Sequence, residues 1–176
     1  MSSICVMDNT SLQISSNVVE LRDALGLSQK DFSILANIAS STLINIESGN
    51  KSFKISTLSG ILAFTNIKLE ELSKASFVPP KNLRAKLTEK YKNEPSIYVI
   101  LSKEPSIPYA IKYKLLKTDF LDQPKETRQI AKFFRDNYGW RYKGNSIHST
   151  MRRLTHLIDI KPHPNKGRTN LYSKKK

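Results

Sequence analysis

Cysteine is almost missing from this sequence. The lone thiol, Cys5, has no second cysteine to pair with, which excludes an intrachain disulfide framework. The three histidines have no cysteine companions either, so no zinc-ligand spacing arises. Glycine is scarce, and the six present form neither a phosphate-cradling loop nor a nucleophile elbow. His148 and His156 lie eight positions apart without a positioned carboxylate pair, and a nuclease built on them with Arg152 is outweighed by simple binding. We therefore expect no enzymatic activity, no cofactor and no metal. No apolar run approaches the roughly 18 to 20 residues that span a bilayer. The opening stretch MSSICVMDNTSLQISS has no basic segment followed by an apolar one. These absences point to a soluble, unexported protein of the reducing cytosol with no membrane partner.

Acidic residues are also few: 15 Asp and Glu face 29 Lys and Arg, for a net charge of +14. Hydrophobic residues make up 39% of the chain and aromatics 9%, enough for a packed core. At a usual domain size of about 100 to 150 residues, the chain holds one large domain or two small ones. The charge is unevenly placed. Residues 1–75 carry 6 basic and 7 acidic side chains, whereas residues 76–176 carry 23 and 8. A surface that basic attracts polyanions and releases counterions on binding, so for the second half nucleic acid leads and an anionic membrane follows, and charge alone does not choose between them.

Residues 1–16 are polar and Ser-rich and read as a flexible arm. Helical patterning begins at Asn17, with Val18, Leu21 and Leu25 on one face and Gly26 placed for a left-handed cap. Ser28 caps a second helix through Leu35, a third runs about Ser40 to Glu47, a fourth about Ser56 to Phe64 and a fifth Leu69 to Ser73. The spacing predicts a compact all-helical domain over 17–73. Pro79 and Pro80 break the pattern, and 74–107 reads as a linker with a possible connecting or dimerising helix about Leu83, Leu87 and Tyr91. SIYVIL (96–101) is either a strand or a buried turn of helix. Residues 108–176 form a basic second domain. Pro108 opens its first helix, Asp122 and Pro124 start the next, and Asn145 or Ser146 starts a third that carries Ile147, Met151, Leu154 and Ile158 inward. Alternation at Ile158–Lys161 and at Thr169–Tyr172 about an Asn165–Gly167 turn predicts a hairpin, followed by a mobile Lys174–Lys176 tail.

The segment LSQKDFSILANIASSTLINIESGNK (27–51) resembles, without gaps, the helix-turn-helix of the Cro/C1-type (XRE) family of phage and bacterial regulators. Leu27, Ser28, Gln29, Phe32, Ser33, Ile38, Ser41, Thr42, Leu43, Ile46, Glu47 and Gly49 carry the resemblance, which with flanking helices covers about Asn17 to Leu72. It implies double-stranded DNA as partner, a homodimer on inverted repeats, and a third helix in the major groove. By position it makes Ser40, Ser41 and Asn45 the base readers, and Gln29, Asn50, Lys51 and Ser52 the phosphate contacts. A merely solvated polar face is the alternative for these residues, and the surrounding template outweighs it. The sequence departs from the family at Asn37 and Asn66, where glycine is usual but asparagine tolerates the left-handed conformation. It departs again at Ala36, Ile34 and Leu35, the last two either covering a partner surface or compensating the smaller Ala36.

The order helix, helix, helix, hairpin in 108–176 resembles a winged helix. Inward Ile147, Met151, Leu154 and Ile158 would leave His148, Ser149, Arg152, Arg153 and His156 outward as a second recognition face. The hairpin would present Lys161, His163, Lys166 and Arg168, with Arg152 or Arg153 forking onto guanine and Lys166 and Arg168 meeting phosphate or the minor groove. Tyr138, Trp140 and Tyr142 read as packing aromatics, with base stacking as the alternative. The expected fold class is thus mainly α, a five-helix Cro/C1-type domain plus a winged-helix-like α/β-hairpin domain. The expected function is a sequence-specific DNA-binding transcriptional regulator, a repressor, of the cytoplasm and nucleoid. The alternatives are an antitoxin-like protein that neutralises a partner protein and represses its own operon, and RNA binding by the basic half.

Overall fold

The computed structural model describes residues 9–50 and 52–175. The chain divides into two units, the first ending at Lys103 and the second spanning Glu104–Lys176. It is mainly helical, with one small antiparallel sheet among the described residues.

The first unit contains α1 (Asn9–Leu25), α2 (Gln29–Leu35), α3 (Ser40–Ser48), a 3₁₀ turn (Ile55–Leu58) continuing into α4 (Ser59–Thr65), α5 (Leu69–Leu72), α6 (Leu83–Lys90) and α7 (Pro95–Leu101). Val18, Leu21 and Leu25 of α1 bury completely, joined by Phe32, Leu43, Ile46, Leu58, Ile61 and Leu72. The turns follow residue chemistry. Ser28 caps α2 by accepting from the Asp31 amide, Gly49 takes positive φ after α3, and Asn37 and Asn66 adopt φ of 52° and 56° where the family usually has glycine. Gly60 packs so closely on the turn after α2 that a Cβ there would overlap the Ala36 carbonyl.

Two expectations are corrected here. The first helix begins at Asn9, so 9–16 is not a loose arm: Ile14 buries in the core and Ser15 Oγ donates to the Ser11 carbonyl at 2.9 Å. The rest of the expected arm, 1–8, lies outside the described residues. Nor is 74–107 a linker over most of its length. Leu83, Leu87, Ile100 and Leu101 belong to the first unit's core, and Tyr91 stacks on Phe64 with ring centroids 5.7 Å apart. The buried Arg84 ties this segment down: it donates to the Leu25 carbonyl and, at 2.7 Å each, to those of Leu101 and Lys103. SIYVIL is helical: Pro95 supplies a first-turn proline, Ile100 and Leu101 bury in the core with Ile97 packed against it, and Tyr98 and Val99 stay exposed.

The second unit contains α8 (Ile107–Tyr113), a 3₁₀ turn (Leu115–Lys117), β1 (Lys125–Glu126), α9 (Thr127–Tyr138), α10 (Gly144–Arg153), β2 (Ile158–Pro162) and β3 (Asn170–Lys174). The strands are ordered β1-β3-β2, all antiparallel, with Tyr172 opposite Ile160 on one side and Lys125 on the other. Ile111, Leu115, Leu121, Ile130, Phe134, Ile147, Met151 and Tyr172 are fully buried. Trp140 stacks on Tyr138 at 4.5 Å and lies 6.2 Å from Phe134, and Tyr142 donates its hydroxyl to the Pro105 carbonyl, so Trp140 and Tyr142 pack on the core while Tyr138 stays exposed.

Three local expectations change in this unit. Neither Asp122 nor Pro124 starts the second helix. The cap is Glu126, whose backbone N–H donates to Gln129 Oε1 at 2.8 Å, and β1 takes Lys125 and Glu126 because their backbone pairs with β3. The third helix ends at Arg153, since Leu154 leaves helical geometry and Ile158 opens β2, so His156 sits in the intervening turn. Lys174 and Lys175 are not a mobile tail: their amides donate to the carbonyls of Leu121 and Leu157 at 2.9 Å. Lys176 lies outside the described residues.

Candidate nucleic-acid interface

The angle between α2 and α3 is set by what lies beneath them. Phe32 and Leu35 of α2 and Leu43 and Ile46 of α3 bury together, and Ser33, 1% exposed, is small enough to let the helices approach. Successive residues of an α-helix turn by about 100°, so burial of Leu43 and Ile46 leaves Ser40, Ser41, Ile44 and Asn45 on the opposite side. All four are exposed. Ala39 precedes α3 without a side-chain cap, leaving the first amides of that helix without capping oxygen.

The hydroxyl of Ser40 is oriented. Ser33 Oγ gives its hydrogen to the Lys30 carbonyl at 2.9 Å and lies 2.8 Å from Ser40 Oγ. With the Ser33 hydrogen on Lys30, the hydrogen between the two hydroxyls comes from Ser40, whose side chain is exposed. Gln29 at the start of α2 is exposed and donates Nε2 to Glu47 Oε2 at 2.7 Å. Glu47 also receives Arg22 Nε at 2.6 Å and Nη2 at 3.3 Å. This Arg22–Glu47–Gln29 chain, which ties α1, α2 and α3 together, went unrecognised in the sequence; the only signal was a basic residue near the end of α1 with a carboxylate 25 positions on. Asn50 and Ser52 are exposed, the Asn50 amide donating to Ser48 Oγ, and Lys51 lies outside the described residues. Ile34 and Leu35 do not form one patch, because Leu35 is buried and only Ile34 projects, at 53% exposure.

In the second unit Ser149, Arg152 and Arg153 are exposed on α10. His148 departs from expectation. Its Nδ1 bonds the hydroxyl of the fully buried Tyr172, which turns the ring toward the sheet. It lines an open cavity of about 580 Å³ together with Arg128, Asn145, Arg168 and Asn170. Arg128 was not anticipated, since the second helix was expected to start earlier. In the β2–β3 hairpin, Lys166 Nζ is held by Glu126, His163 Nε2 lies 3.5 Å from the same carboxylate, and Arg168 is exposed at the cavity. The Lys166 hydrogen bond, with the Lys166, His163 and Arg128 charges, holds the Glu126 carboxyl below its ordinary value. Of the two hairpin cations expected to meet phosphate, Arg168 is the one without this engagement.

A helix-turn-helix family model matches residues 18–72. The first unit carries a DNA-binding helix-turn-helix domain of the Cro/C1 type. The helix-turn-helix match takes in α2 and α3 and ends at the last residue of α5, so α6 and α7 extend its core beyond the family pattern. No curated protein and no solved structure matches the chain. Among the described residues, no helix is long and apolar enough to cross a membrane, and no group of three or more His, Cys, Asp or Glu is placed to hold a metal ion.

Proposed function

We propose that the protein is a sequence-specific transcriptional repressor of the cytoplasm and nucleoid that binds inverted repeats as a homodimer. In this reading α3 enters the major groove, with Ser40, Ser41 and Asn45 reading bases and Gln29, Asn50, Lys51 and Ser52 positioning the helix on phosphates. The observation that carries it is the outward face of α3, solvent-exposed and free of core duty, inside a matched helix-turn-helix.

The second unit acts as a winged helix that supplies most of the backbone grip. Its helix, strand, helix, helix, hairpin order and β1-β3-β2 sheet support that assignment. Ser149, Arg152 and Arg153 on α10, with Arg168 on the hairpin and Arg128 at the cavity, form the phosphate-facing group, and His148 orients Tyr172 and β3 from behind.

An electrophoretic titration against genomic fragments, followed by footprinting, tests this function. Two protected half-sites about one helical turn apart, or a multiple of that, are expected. Binding equally well to every fragment, or tighter binding to structured RNA than to duplex DNA in competition, overturns it.

A further inference from the structure

We infer that α3 reads a half-site dominated by A·T pairs. This rests on the helix-turn-helix reading above and names the sequence class that reading leaves open. The donor and acceptor inventory of the exposed face carries the inference. The commonest specific contact in a major groove is Arg or Lys on guanine, and α3 contains neither. Ser40 has committed its hydrogen to Ser33, which has in turn given its own to the Lys30 carbonyl. The outward side of Ser40 is thus an acceptor, suited to the N6 amino group of adenine or N4 of cytosine and unsuited to the paired acceptors N7 and O6 of guanine. Asn45 carries an amide, the side chain whose donor and acceptor match adenine N7 and N6 together.

Ile44 completes the set. It stands about 60° round the helix from Ser41, at 48% exposure, on a helix whose core positions are already filled by Leu43 and Ile46. An isoleucine there offers no hydrogen bond, and it matches the one apolar feature of the groove, the thymine C5-methyl group. Acceptor, methyl contact and amide then lie on one exposed helical face, and of the three the methyl contact and the amide select A·T pairs while the Ser40 acceptor admits adenine and cytosine. Ile44 is the specificity-determining residue that position in the template did not single out.

The test is selection of bound duplexes from a random pool with the intact chain, then replacement of thymine by deoxyuridine within the selected half-site. An enriched motif rich in A·T supports the inference. A reproducible motif centred on G·C pairs overturns it and leaves the regulator reading standing. Failure to enrich any motif overturns that reading itself. Removing the relevant thymine methyl should weaken the wild-type protein about fourfold, the worth of one buried methyl. Ile44→Ala should bind thymine and deoxyuridine duplexes alike. Equal sensitivity of Ile44→Ala and wild type to the missing methyl overturns the role of Ile44.

Discussion

Arg22 and Glu47 clamp the first helix to the third. Two guanidinium nitrogens meet two carboxylate oxygens at 2.6 and 3.3 Å, with the Glu47 side chain only 4% exposed. The forked geometry fixes both rotation and distance between α1 and α3. Gln29 on the same carboxylate brings the start of α2 into register with them.

Breaking this clamp from one side leaves the half-buried Arg22 with only the longer Asp23 contact at 3.4 Å and the Leu27 carbonyl. Glu47→Ala should destabilise the protein by about 3 kcal/mol, measured by urea denaturation of the intact chain. Arg22→Met combined with Glu47→Leu should recover part of that loss, because no unpaired charge is then left inside. A double variant as unstable as Glu47→Ala would show that the clamp acts through packing alone.

The base-reading face can be altered without touching the core. Ser41 and Asn45 are exposed, so Ser41→Ala with Asn45→Ala should leave denaturation midpoints unchanged. Specific binding should weaken by about 1–3 kcal/mol for each base-reading side chain truncated, while non-specific binding stays constant. An unchanged footprint would remove these residues from the readout.

Salt should separate the roles of the two units. Arg152, Arg153 and Arg168 are exposed and belong to the strongly basic part of the chain. Changing all three to Gln should reduce the slope of log affinity against log salt by about 0.9 for each phosphate no longer neutralised. The sequence preference should persist. This substitution is preferable to cutting the chain at residue 75, which would remove Leu83, Leu87, Ile100 and Leu101 from the first unit's core.

Acid should loosen the hairpin. Glu126 is held below its ordinary value mainly by the Lys166 hydrogen bond. A lowered folded-state value means that its stabilisation is fully present above the ordinary glutamate range and is lost as pH falls through the lower, folded value. Protection of the 163–169 amides, taken relative to the intrinsic exchange rate at each pH, should therefore fall at acid pH in the wild type. Glu126→Gln should show reduced protection already at neutral pH, with little further acid dependence from this group.

Local chemistry determined much of this protein in advance. Ser28, Asn37, Gly49 and Asn66 mark turns because their side chains, or the lack of one, suit those backbone angles. The Leu43 and Ile46 spacing alone identifies the outward face of α3. The hairpin about Asn165–Gly167 was legible for the same reason, and so was the concentration of charge beyond residue 75. Tertiary structure decided what depends on distant partners. Two prolines looked like the start of a linker, but Arg84 gathers carbonyls from Leu25, Leu101 and Lys103 and draws α6 and α7 into the first core. His148 looked like an outward reader, but Tyr172, 24 positions on, turns it toward the sheet. Lys166 looked like a free hairpin cation, but Glu126 holds it across 40 residues. A side chain's periodicity is carried by its neighbours in sequence; its hydrogen-bond partner is supplied by the fold, and the partner decides whether a basic or polar group is left for DNA.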